Sequence, residues 1–285
     1  MRIKSFVVLA AAGLLLSACA NVPAYEPMPP AAKDRIASTE VVLPVKQSEI
    51  YVYVPASNVS AATGGGLIGA LVDVGVDAVR TSKAEDAVKP LRASMSDYSF
   101  DRVMQSDMQH ALANLAWLHT DNVHVLKEVS DETMDRALAA SKDSAVLFAS
   151  ADYQLSNDAD VLTVTMNAGL FPNSDALRAL KQGKTSSTKT ALANSLYHNK
   201  ISFEYRAPNA TSDRDANIAH WSADNGAAMR RALDTSLAKL AWLLTQDLQS
   251  AMASPAGAIP NTDAHGTVSR AEDGTLKFTA ASVAQ

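Results

Sequence analysis

AVLFASADYQLSNDADVLTVTMNAGLF, residues 145–171, decides the fold. Val161, Thr163 and Thr165 alternate with Leu162, Val164 and Met166. That period of two puts an apolar row on one side of a strand and a polar row on the other. Ala145 to Leu155 is mostly apolar, and Asn157-Asp158-Ala159-Asp160 supplies turn chemistry between the two runs. The stretch predicts an antiparallel hairpin.

Helical periodicity flanks the hairpin on both sides. From Asp97 to Leu118, apolar residues fall at Phe100, Met104, Met108, Leu112 and Leu115, steps of three or four that share one face. Asp97 or Ser99 is placed to cap the start. From about Ala223 to Met252, Met229, Leu233, Leu237, Leu240, Leu244 and Leu248 form a second stripe, with Arg230, Arg231, Asp234, Lys239 and Gln246 mostly off it. Asp131–Ala140 reads as a shorter helix, and Lys83–Lys89 as one stopped by Pro90. Ile50–Val54, Val123–Val129 and Ile201–Tyr205 read as strands, Gly183–Thr190 as a loop. Strands and helices in this order predict an α+β domain. Its sheet is mixed or antiparallel, its helices pack mainly on one face, and it has a long C-terminal amphipathic helix.

The expected domain covers residues 45–253, with a glycine-rich segment at 61–80. Hydrophobic residues make up 47% of 285 and charged residues 19%, enough apolar material for a core of that size. Pro23, Pro27, Pro29, Pro30 and Pro44 make 19–44 read as an extended tether. Residues 254–285 read as a polar tail in which Glu272-Asp273-Gly274-Thr275 predicts a small hairpin turn between Val268 and Phe278.

The beginning of the chain carries an address. Arg2 and Lys4 precede an apolar run from Phe6 to Leu16, shorter than the about 20 residues that span a bilayer. Residues 1–18 therefore read as an export signal. Leu16-Ser17-Ala18-Cys19 resembles the lipobox of bacterial lipoproteins. That resemblance implies cleavage before Cys19 and acylation there, with palmitate among the chains. The protein would then be anchored in a membrane of the cell envelope and face the periplasm. Ala20 stands where an Asp would, in the enterobacterial pattern, retain the protein at the inner membrane, so the resemblance implies the outer membrane. Cys19 is the only cysteine, so the mature fold has no internal disulfide. Losing Arg2 and Lys4 moves the net charge from −5 to −7, which excludes a basic footprint for nucleic acid.

Together with the lipobox, the Gly64–Val79 segment followed by Lys83-Ala84-Glu85 and the long Trp221–Leu248 helix resemble uncharacterised proteobacterial envelope lipoproteins. The layout alone is also similar to that of the curli secretion-channel lipoprotein; no residue is carried over from it.

Several motifs match the spacing of known chemistry and also have a plainer reading. Gly64-Gly65-Gly66-Leu67-Ile68-Gly69 matches the dinucleotide glycine pattern but begins ten residues after Val54, away from the tip of that strand. Gly65, Gly69, Asp73 and Asp77 recur every four residues, and such a small-residue face suits close contact with a partner or with itself. A core helix with two solvent-facing acids is the plainer reading. Ser186–Lys189 and Ser236–Lys239 have the S-x-x-K spacing, one in a Ser/Thr-rich loop and one on the helical stripe. None of the six histidines forms a zinc motif, and Asn157, Asp158 and Asp160 lack the glycine and terminal Glu of a calcium loop.

The resulting expectation is a non-catalytic protein with no cofactor or metal. Lipid at Cys19 would attach it to the membrane, and it would bind or scaffold another envelope component. The alternatives are a homo-oligomeric, channel-like lipoprotein using residues 64–79 and an exported hydrolase with scattered site residues.

Overall fold

The structure, a computed structural model, describes residues 23–47, 50–52, 82–181, 189–249, 257–259 and 266–281. The chain begins with α1 (Pro30–Lys33), β1 (Thr39–Pro44), β2 (Tyr51–Val52), α2 (Ser82–Ser94) and α3 (Phe100–Leu112). A 3-10 turn at Ala116–Leu118 leads to β3 (Thr120–Leu126), α4 (Asp131–Ala140), β4 (Ala145–Leu155), β5 (Val161–Pro172) and α5 (Asp175–Arg178). A second 3-10 turn, Leu192–Asn194, precedes β6 (Tyr197–Arg206) and α6 (Arg214–Leu248). The last strands are β7 (Gly257–Ile259), β8 (Gly266–Arg270) and β9 (Leu276–Ala280).

The expected α+β architecture is present. One mixed sheet runs in the order β3-β1-β4-β5-β6-β9-β8-β7, with β2 also beside β4. β4 and β5 form the hairpin, Ala145 opposite Pro172 and Leu155 opposite Leu162. β1 lies parallel to both β3 and β4, and β9 parallel to β6. The terminal hairpin β8–β9 is thus an extension of the main sheet.

Strand alternation sorts the side chains as the hairpin reading requires. Leu147, Ala149, Ala151, Tyr153 and Leu155 face one way, joined by Leu162, Val164, Met166, Ala168 and Leu170. On them pack α3, through Met104, Met108 and Leu112, and α6, through Met229, Leu233, Leu237, Leu240, Leu244 and Leu248. Every residue of the expected α6 stripe is buried. The opposite face is divided. Val42, Val146, Phe148 and Phe171 are covered by Met134 and Leu138 of α4. The Ser130 N-cap closes a capping box with Thr133 that starts this helix where the sequence places it.

Several boundaries differ from expectation. α2 continues through Pro90 to Ser94, because buried Val88, Leu91 and Met95 hold its last turns against the core despite the missing N–H. α3 ends at Leu112 and the chain tightens into the 3-10 turn. Ser99 occupies the N-cap position of α3 without a side-chain cap bond; its hydroxyl donates to Asp101. α6 starts nine residues earlier than Ala223 and is two helical pieces joined at Ala223–Gly226, where Asp224, Asn225 and Gly226 are left-handed. The largest correction concerns the tether. Residues 23–44 belong to the domain: Met28, Ala32 and Ile36 are buried in the core, and β1 is an inner strand with Val41, Val42 and Leu43 fully covered. Proline content suggested an extended spacer, but Thr39–Leu43 carries the β-branched apolar run that a buried strand needs.

Candidate functional site

The N-terminal segment meets the sheet at a polar seam on β6. Glu26 and His198 exchange backbone hydrogen bonds, 2.9 Å from the Glu26 N–H and 3.2 Å from the His198 N–H, so residue 26 continues the sheet on the β6 edge that β9 uses further along. The His198 ring reinforces this. Its Nε2–H donates to the Pro23 carbonyl at 2.7 Å, and Nδ1 lies 2.8 Å from the Ser195 hydroxyl, whose one proton is shared with the Leu192 carbonyl. Burial lowers the His198 pKa, with the Pro23 carbonyl and Glu26 opposing and Lys181 assisting, so the ring is neutral at neutral pH. Lys181 donates to Glu26 at 2.5 Å, and Tyr25 lies against Gly274 and stacks on Arg270 at 4.4 Å. The Ser195–His198 pair is not arranged for nucleophilic catalysis. Ser195 is fully buried, its hydroxyl also reaches the Leu192 carbonyl, and the far nitrogen of His198 meets a carbonyl where a triad has a carboxylate.

Behind the seam is a buried ion pair. Asp247, near the end of α6, accepts from Arg270 of β8 at 2.5 Å, from the Tyr197 hydroxyl at 2.8 Å and from the Asn199 amide at 2.6 Å. Arg270 also donates to the Gly274 carbonyl at 2.6 Å. Burial first, then Asp247, holds the Tyr197 phenol well above its ordinary pKa, so it remains a donor. These groups close the β8–β9 hairpin onto β6 and α6.

The polar part of the second sheet face holds a strongly perturbed carboxyl. Alternation along β4 and β5 carries Ser150, Asp152, Gln154, Thr165 and Asn167 on from the α4-covered patch. Burial pushes the Asp152 carboxyl up to about 6, with Lys200 opposing, and its Oδ2 has no hydrogen-bond partner. The Gln154 Oε1 is likewise buried and unpartnered. A carboxyl poised near neutrality is a common property of functional acids. Asp152 carries no periodicity or motif; only the sheet register reveals it.

The remaining expected sites are distributed or closed. Cys19, residues 64–79 with Gly65, Gly69, Asp73 and Asp77, Ser186 and His265 lie outside the described residues. Ser236 is buried and bonds the Ala232 carbonyl within α6, while Lys239 lies over the rings of Trp242 and Phe278. His124 faces Glu40 at 3.5 Å, His119 is left-handed at the end of a 3-10 turn, and His220 packs beside Trp221. Among the described residues no group of three His, Cys, Asp or Glu side chains could hold a metal ion. Asn157–Asp160 is the turn it was expected to be. The Ser156 hydroxyl donates to Asp160, Ala159 is left-handed, and Trp221 donates to the Ala159 carbonyl at 2.7 Å.

A cavity of about 720 Å³ lies between α2 and the start of α6, lined by Asp86, Pro90, Asp213, Arg214, Asp215 and Ile218 among others. Its polar groups serve local structure. Asp213 caps α6, Arg214 donates to Asn157, and Asp86 pairs with Lys89. No protein-family model matches the chain, and no curated protein matches it either.

Proposed function

We propose that this is a non-catalytic, lipid-anchored envelope protein that binds or scaffolds another envelope component, held at the periplasmic face of the outer membrane through Cys19. One juxtaposition carries the reading: the lipobox-like Leu16–Cys19 lies immediately ahead of a domain whose first described residues, Pro23–Glu26, are already docked on β6. Among the described residues no helix is long and apolar enough to cross a membrane, so the attachment in this reading is the acyl group. One chain anchors only marginally, and several chains on one residue make release slow. Mass spectrometry of the mature N-terminus tests the anchor: acylated Cys19 is expected, and Cys19→Ser should abolish both acylation and cleavage before residue 19. An unacylated mature N-terminus overturns the reading. Affinity capture from cross-linked envelopes then identifies the bound component.

An exported hydrolase is the second reading, supported by the raised pKa of Asp152. It requires a nucleophile or second acid beside that carboxyl. The neighbours on its sheet face are Ser150, Gln154, Thr165 and Asn167, and the Ser150 hydroxyl reaches the Asn167 carbonyl at 3.4 Å. Hydrolytic activity toward envelope substrates that is lost in Asp152→Asn would favour it.

A further inference from the structure

We infer that the seam turns the lipid anchor into a fixed orientation, in which the pole of the domain at the Tyr197 end of β6 rests on the bilayer surface and the opposite pole faces away. The inference rests on the lipid-anchor reading above and on three lengths. Only residues 20–22 separate the anchor position, Cys19, from the docked Pro23. From Cys19 to Pro23 a fully extended chain spans at most about 14 Å. β6 contains ten residues, so its two ends are roughly 30 Å apart at about 3.3 Å per residue.

The strand register defines what lies at each end. Tyr197 pairs with Leu170, near the end of β5, and Ala145, at the start of β4, pairs with Pro172. β9 starts beside Ile201 and runs parallel to β6, so the Ala271–Gly274 turn before it belongs to the Tyr197 pole. The Tyr25 contact with Gly274 and the Tyr197 bond to Asp247 place the N-terminal segment and the end of α6 there as well. The Ser156–Asp160 turn, Ala207–Ala210 and the start of α6 lie at the other pole, tied together by Arg214 to Asn157 and Trp221 to Ala159. A reach of about 14 Å from Pro23 does not let the domain stand on the opposite pole, because Pro23 would then lie roughly 30 Å from the membrane. The partner of the Tyr197 pole is therefore a lipid surface.

The experiment uses the full-length acylated protein in vesicles of phosphatidylethanolamine and phosphatidylglycerol that contain a headgroup-labelled energy acceptor. Cys19 is the only cysteine and its thiol is consumed by the lipid, so one added cysteine gives one labelling site. The donor goes on Glu272→Cys at the near pole or Asp158→Cys at the far pole, both exposed in turns. Energy transfer at least three-fold more efficient from position 272 than from 158 is expected. A Gly/Ser insertion of forty residues between Val22 and Pro23 should bring the two efficiencies together, because such a linker spans roughly 30–40 Å on average, past the length of β6. Equal transfer from both positions, with mass spectrometry confirming acylated Cys19, overturns the fixed orientation and leaves the anchor intact. A difference that survives the insertion also overturns it. An unacylated Cys19 with no co-flotation overturns the anchor and this inference together.

Discussion

At Asp152 burial and charge are in open conflict. Its carboxyl is held up to about 6 by burial, against an ordinary value of 3.8. The folded state binds the proton more tightly than the unfolded state, so this group favours folding fully below 3.8. That contribution is lost as pH rises through about 6. The difference of roughly two units corresponds to about 3 kcal/mol against the fold at neutral pH. Asp152→Asn should therefore raise stability at pH 8 by about 1–3 kcal/mol and change little at pH 4, as read by urea melts at the two values. A variant destabilised at pH 8 would show that the ionised carboxylate has a partner. His198 acts with the opposite sign. Its folded pKa is lowered, chiefly by burial, so the unfolded chain takes up a proton near 6.5 that the native ring resists, and stability falls as pH drops through that value. In His198→Gln that acid-side loss should shrink, with Asp152 replaced by Asn in both chains so that the two titrations do not overlap.

At the scale of elements, α6 shows what periodicity reads well and what it misses. Leu237 and Leu240 are at most 1% exposed, and replacing either by Ala should cost about 2–5 kcal/mol in denaturant melts. Arg230 and Arg231 both read as surface positions off the stripe, yet the structure separates them. Arg230 donates to the Ser94 carbonyl at 2.6 Å and lies over the Tyr98 ring, whereas Arg231 is exposed. Arg230→Ala should cost about 1–2 kcal/mol through the lost carbonyl bond, and Arg231→Ala should be near neutral. The break at Ala223–Gly226 is the other contrast. Gly226 has φ +72°, and a Cβ there would lie 2.9 Å from the Met95 sulfur and 3.0 Å from the Ser94 hydroxyl. Gly226→Ala should destabilise by about 1–2 kcal/mol through the left-handed backbone alone, with the contact to Met95 adding to it. A neutral substitution would mean that the two helical pieces can straighten into one. Nothing in the apolar stripe marks this break, because Trp221 and Met229 on either side are both buried.

The whole molecule depends on contacts between distant parts of the chain. Arg270 and Asp247 are almost wholly buried, with side chains 4% and 0% exposed. Removing one partner of such a pair typically costs about 3–5 kcal/mol, because the other charge remains buried. Arg270→Ala should therefore lower stability by that amount and loosen the β8–β9 hairpin, seen as faster amide exchange at Leu276–Thr279. The double change Arg270→Met with Asp247→Leu should recover a large part of the loss. If it does not, the hydrogen bonds of Tyr197 and Asn199 to Asp247, rather than the ion pair, hold this corner.

The hairpin at 145–171, the buried stripe of α6, the Asp131–Ala140 helix and the α+β class follow from local patterning. Each is a short-range consequence of period or turn chemistry, carried by residues close together in the chain. The Leu16–Cys19 resemblance is local in the same way. Only the tertiary structure decided that the proline-bearing residues 23–44 join the domain, since the place of β1 between β3 and β4 depends on partners about 80 to 105 residues away. It alone decided that Glu26 meets His198, that Asp247 meets Arg270, and that the Asp152 Oδ2 is buried without a partner. Such pairings leave no period in the chain: each residue type is ordinary at its position, and only long-range register brings the groups together and removes the water around them.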